Sequence, residues 1–240
     1  AGANTAVGDL ALRQLKTSTA STYNTAVGRS SQRGPNNEAQ FHTGERNTSV
    51  GAGSMKVITT GNDNTAVGYW SQYGASITGD FNTSVGSNSL KNLVSGDKNI
   101  SVGHEAGDVI TSGSNNVIIG TGSDPSASSA SNQTVIGYNV TGQADNSVTL
   151  GNADVTDIYM AQDKGATVHA AGADLSGSTG LILENDETIT NSTDGTVLIN
   201  GTVAGGTGSG AGVFTSNGDQ DVTLQTGNST TGSITITDGA

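Results

Sequence analysis

The sequence contains no cysteine, two prolines, two methionines and a single tryptophan in 240 residues. Without cysteine the chain can form neither a disulfide nor a thiolate metal site. Aromatic residues make up 4% of it, and Leu, Ile, Val and Phe together reach only 46 residues. No apolar run approaches a membrane span and no signal peptide is visible, so no membrane contact is expected within this segment. Cations are scarce too: nine Lys and Arg face 21 Asp and Glu, for a formal net charge of −12. An acidic chain is not expected to bind nucleic acid, and its charge serves solubility. By composition alone the chain would sit at the edge of the intrinsically disordered class.

What the sequence does have is 36 glycines and a strict order in how they are placed. One phrase recurs nine times: an Asn-like residue, a β-branched residue, a mostly small residue, an apolar residue and glycine. It reads Asn-Thr-Ala-Val-Gly at residues 4–8, 24–28 and 64–68, and Asn-Thr-Ser-Val-Gly at 47–51 and 82–86. Variants end at Gly103, Gly120, Gly137 and Gly151, and the glycines stand 20, 23, 17, 18, 17, 17, 17 and 14 residues apart. Disorder requires no such fixed offsets. A short regular period is the signature of a solenoid whose units stack on their neighbours.

Aligned on its glycine, each column acquires an expected role. The repeat is defined by Asn24, Val27 and Gly28, Asn64, Val67 and Gly68, Asn82, Val85 and Gly86, and Asn99, Val102 and Gly103. The residue before glycine is always apolar and the residue three before is always β-branched. Strand periodicity puts these two on one face, expected to be a thin core. Between them lies Ala or Ser in the first six copies, and three residues after glycine a second small column runs through Ala11, Ser31, Ser54, Ser71, Ser89, Ala106 and Ser123. The second column suggests crowding where chains meet near an axis, so a large side chain at Ala66 or Ser71 is expected to hinder assembly. Glycine supplies a backbone conformation that other residues resist. Stacked Asn side chains are expected to form a ladder.

The chain divides into three segments. Residues 1–151 form the repeat array. Residues 152–172 break the period with Tyr159, Met160 and His169. Residues 173–240 keep only short alternating strands among Gly, Thr and Ser turns, as in an intertwined β shaft. The sequence starts inside one repeat and stops inside a strand-like phrase, as a part of a longer fibre would. Ordering one turn costs roughly 1–2 kcal/mol per residue, and two or three buried Val or Ile return about 1.5–3 kcal/mol each. Self-association is therefore expected. Residues 1–98 carry eight cations and six acids, whereas residues 99–240 carry only Lys164 against fifteen acids.

These columns resemble the trimeric β-roll heads of bacterial autotransporter adhesins, whose phrase is Asn-Ser-Val-Ala-Ile-Gly; Asn-Ser-Val-Thr-Leu-Gly at residues 146–151 is nearest to it. The dominant Asn-Thr-Ala-Val-Gly form, with its period of about 17, is more similar to repeats in phage tail fibres. So are residues 157–172 and 224–236. The resemblance implies an all-β, left-handed parallel β-roll or β-solenoid followed by the shaft. It also implies a parallel homotrimeric fibre on a virion, reaching a host surface with other fibre or virion proteins as partners. A bacterial surface adhesin is the alternative. The period departs from the adhesin phrase, so that family's head geometry does not transfer directly.

Candidate sites are few. Tyr69, Trp70 and Tyr73 fall in one repeat and could stack on host polysaccharide, but packing on a neighbouring coil or chain is the preferred reading. His42, His104 and His169 could meet their copies at a trimer axis and hold a metal, though packing or surface roles are the commoner fate of histidine. Asn62, Asp63, Asp80 and Asp97 are oxygen donors in turns, but no calcium-loop spacing surrounds them, and solvated turn residues are the default. No metal or cofactor is therefore assigned. No nucleophile elbow or metal motif is present, and the paired acids Glu184 and Asp186 lie among few aromatics. An enzyme, including a polysaccharide depolymerase, is not the expected reading. An ice-binding solenoid would need an outward Thr lattice, whereas the Thr column is expected to face inward.

Overall fold

The structure, a computed structural model, describes residues 3–14, 22–35 and 41–161. Residues 162–240, with His169, Glu184, Asp186, the end of the period-breaking segment 152–172 and the expected shaft, lie outside the described residues.

Each phrase forms one three-residue strand: β1 (Thr5–Val7), β2 (Thr25–Val27), β3 (Thr48–Val50), β4 (Thr65–Val67), β5 (Thr83–Val85), β6 (Ile100–Val102), β7 (Val117–Ile119), β8 (Thr134–Ile136) and β9 (Val148–Leu150). They join in chain order into one nine-stranded sheet, so residues 5–150 form a parallel β-solenoid with one turn between successive strands. Pairing is in register throughout: Thr25 lies on Thr48, Ala26 on Ser49 and Val27 on Val50, and so on along the stack. Unequal insertions do not disturb this register, because they are absorbed in the return path between strands. After Leu150 there is no further strand among the described residues, and Val155, Ile158, Tyr159 and Met160 are exposed.

Glycine closes each strand for two reasons. Gly68 has φ +136°, and a Cβ there would lie 2.4 Å from the carbonyl oxygen of Gly86 on the next turn. Neither the dihedral nor the gap admits another residue. Other corners are left-handed without glycine. The residue before the phrase has φ between 54° and 61° in eight successive turns, from Tyr23 to Asn146. Nineteen described non-glycine residues have φ between 45° and 61°, a recurrent local cost that stacking must offset.

The expected facing of the strand is inverted. Ala26, Ser49, Ala66, Ser84, Ser101, Ile118 and Val135, the middle residues, are buried inside the coil, while Val67, Val85 and Val102 remain 36–38% exposed and Val27 half-buried. The second small column is also interior: Ser71 Oγ lies 2.5 Å from Ser84 Oγ, and Ser31 Oγ bonds Ser49 Oγ in the same way. In these turns the two small columns meet each other across the coil, whereas Ile118 and Val135 occupy the middle position farther along the stack. The crowding of the small columns is therefore within one chain, not between chains, and the apolar flanks are turned outward. Most of the apolar core lies farther along each turn, in Met55, Ile58, Ile77, Leu90, Leu93, Ile110 and Val140, joined by the strand residues Ile118 and Val135.

The expected Asn ladder is present and buried. The backbone N–H of Asn47 donates to Asn24 Oδ1 at 2.9 Å, and the same bond links Asn64 to Asn47, Asn82 to Asn64, Asn99 to Asn82 and Asn116 to Asn99. Each side-chain N–H of the series donates across the coil, as Asn64 Nδ2 does to the Gly79 carbonyl at 2.8 Å. Gln133 N–H caps the row on Asn116 Oδ1, but its own longer amide turns aside to Ser126. Asn64→Ala would orphan the buried Asn82 N–H and Gly79 carbonyl, a loss on the order of 3 kcal/mol. Gly68→Ala should cost at least as much, and both should appear as a lowered midpoint in thermal unfolding followed by circular dichroism.

Candidate functional site

The segment after the strand turns a corner of the coil, and there the aromatic residues come together. Tyr69 stacks on Trp70 with ring centroids 4.6 Å apart at 20°, and Trp70 meets Tyr73 at 4.9 Å and 37°. Trp70 adopts φ 55°, unusual for so bulky a residue. Its indole lies across the preceding turn, where a Cβ on Gly53 would come 2.6 Å from Trp70 Cδ1. Packing on the neighbouring coil, the preferred reading from sequence, is thus what holds Trp70. Yet Tyr69 remains 49% exposed and Trp70 only half-buried, so the cluster also presents a surface.

Cations from other turns complete the corner. Lys56 Nζ donates to Tyr73 Oη at 3.0 Å and lies 5.0 Å from its ring centroid, and Lys91 Nζ lies 5.7 Å from the Trp70 ring centroid. A concavity of about 190 Å³ opens between the turns, bounded by Arg29, Arg33, Lys56, Tyr69 and Trp70 together with the smaller residues around Gly53. Sequence reading found the aromatics but missed these cations. The signal was there: five residues after the phrase glycine stand Arg13, Arg33, Lys56, Tyr73 and Lys91, before the column turns acidic at Asp108.

The acidic turn residues have a structural role. Asn62 Oδ1 accepts from the Glu45 N–H at 2.9 Å, Asp80 Oδ1 from Asn62 at 2.6 Å and Asp97 Oδ1 from Asp80 at 2.8 Å. This second ladder runs opposite in sense to the Asn row. Asp63 instead takes a bidentate pair from Arg46, at 2.7 and 2.8 Å, which holds its carboxyl below the usual range. Among the described residues no group of three or more His, Asp and Glu is placed to hold a metal ion. Nor is any helix among them long and apolar enough to cross a membrane.

His42 is buried, and desolvation lowers its pKa to about 4. His104 is exposed beside Glu105, 3.7 Å away. Farther along, burial first and then Asp108 push Asp124 up to about 6. The two shifts act in opposite directions. The unfolded His42 takes a proton near pH 6.5 that the folded residue refuses until about 4, so stability falls as pH drops through that interval. Folded Asp124 binds its proton more readily than the unfolded chain, so it contributes stability in acid. His42→Gln should therefore remove a fall in unfolding midpoint between pH 6.5 and 4.5, measured calorimetrically, while Asp124→Asn should deepen it.

Searches for similar proteins returned no match to any family model and no significant match to any curated protein.

Proposed function

We propose that this chain is a length-building segment of a homotrimeric attachment fibre, best read as a phage tail fibre carried on the virion and supporting contact with a host surface. The role is structural and adhesive rather than catalytic. One observation carries this reading: the outward strand flanks form an uncharged apolar stripe, with Val50, Val67, Val85, Val102, Ile119, Ile136 and Leu150 all 36–43% exposed. Six rung steps make that stripe roughly 29 Å long. Contiguous apolar surface of this extent marks a contact site. A second copy suits it, because a parallel chain in the same register places Val against Val for the whole length and no charge interrupts the columns. The resemblance to fibre and adhesin rolls supplies the number three. A bacterial trimeric surface adhesin would use the same stripe and remains the alternative reading.

The inverted facing also favours a second reading, because Thr5, Thr25, Thr48, Thr65 and Thr83 now line the outside in register. Such a row can order water, as an ice-binding surface does. It is interrupted by Ile100, Val117 and Val148, and every neighbouring column position is aliphatic, which suits a protein partner better.

Light scattering coupled to gel filtration should give three times the chain mass of 23.8 kDa. Val67→Lys with Val85→Lys should yield a folded monomer, since neither side chain enters the coil, whereas Ala66→Leu should unfold it. A wild-type monomer would sink the fibre reading, and thermal hysteresis in that monomer would establish the ice-binding one.

A further inference from the structure

We propose that the corner formed by Arg29, Arg33, Lys56, Tyr69 and Trp70 is a binding site for an acidic sugar unit, a pyranose ring bearing a carboxylate. The inference deepens the attachment reading and rests on it only for the biological use of the site.

Three features point to a ligand. The first is charge left without a partner. In a parallel in-register stack every side chain meets the one at the same offset on the next turn, about 4.8 Å away. Opposite charges so placed pair, as Arg46 does with Asp63. Like charges so placed repel. Arg33 and Lys56 share one offset on successive turns, and Arg29 stands beside them. None of the three forms an ion pair among the described residues. Arg33 Nε is shielded from solvent and makes no hydrogen bond among them either. Among the described residues this cationic corner, on a strongly acidic chain, has no anion paired with it.

The second feature is the aromatic wall. Tyr69 and Trp70, stacked on each other, both line the concavity, Tyr69 being 49% exposed, and aromatic surface attracts the polarised C–H groups of a pyranose. Gly53 makes room for the indole, and Tyr73 and Lys91 hold it from the other side. The platform is preorganised.

The third feature is size. At about 190 Å³ the concavity is smaller than the roughly 300–1,000 Å³ of pockets that enclose drug-sized ligands, so it takes one ring at a time from an open groove. Guanidinium groups grip a carboxylate in two-pronged fashion, and Lys56 adds a point charge. The combination selects an anionic sugar over a neutral one and over a bare anion, which the aromatic wall would not hold.

Trp70 is the only tryptophan in the sequence, so its emission reports this corner alone. The full chain is titrated with trigalacturonate, with cellotriose as the neutral arm and inorganic phosphate as the bare-anion arm, and calorimetry is run alongside. The expected result is a saturable emission change with trigalacturonate, at least tenfold weaker binding of both other probes, and weakening as salt rises. Arg29→Gln with Arg33→Gln should reduce trigalacturonate affinity at least tenfold without altering circular dichroism or oligomer mass. Should that pair misfold, Arg29→Gln alone, on an exposed turn, should still weaken binding at least threefold. No heat and no emission change up to about 10 mM, beyond the weakest specific contacts, would overturn the proposal. So would equal binding of cellotriose or of phosphate, or unchanged affinity in a folded arginine variant. A trimer that binds none of the probes would leave the attachment reading standing, whereas a monomer that binds trigalacturonate would do the reverse.

Discussion

The rise from one turn to the next, about 4.8 Å, governs almost everything else in this solenoid. At that spacing each residue's nearest long-range neighbour is the residue at the same offset one turn away, so the useful residues are those that tolerate their own copies. Asn meets this demand with an acceptor and two donors on one short side chain. It therefore runs unbroken from Asn24 to Asn116, each amide satisfying a backbone N–H of the next turn. Glycine meets it by having no Cβ where Gly68 and Gly86 approach. Ser and Ala meet it by being small where Ser71 faces Ser84. Cations do not meet it, which is why the column through Arg33 and Lys56 stands out from its surroundings.

Much of this was legible in the sequence because self-stacking converts structure into repetition. The strand positions, the role of glycine and the Asn row follow from aligning nine short phrases. The facing of the strand did not follow. Apolar character is an unreliable guide to the interior where small side chains fill the inward strand position, and here Val67 and Val85 face outward beside the buried Ala66 and Ser84. The left-handed corners at Tyr23, Arg46 and Phe81 were equally hidden, since their side chains share nothing a pattern could reveal. The aromatic part of the candidate site could be read because Tyr69, Trp70 and Tyr73 are neighbours in sequence. Its cationic part is scattered over three turns and appears only when the alignment is carried two residues past the small column.

The two polar ladders divide the work of the turn. The Asn row lies inside and accepts from the following turn, whereas Asn62, Asp80 and Asp97 lie nearer solvent and accept from the preceding one. Each turn is thus tied in both directions by side chains as well as by backbone. That arrangement lets short strands with few apolar residues hold a fixed register, and it explains why acids in the turns do not remain free for other chemistry.

The direction of the inter-turn bonds has a mechanical consequence. In a silk-like strand the pull runs along the backbone and loads hydrogen bonds side by side in shear. Here the bonds point along the stacking direction, so tension applied that way loads the turns in series and the weakest opens first. The turns from Gly51 to Gly68 and from Gly86 to Gly103 each hold 17 residues, so one opened turn lengthens the chain by roughly 50 Å. In a single solenoid loaded this way the coils would therefore yield one at a time rather than together.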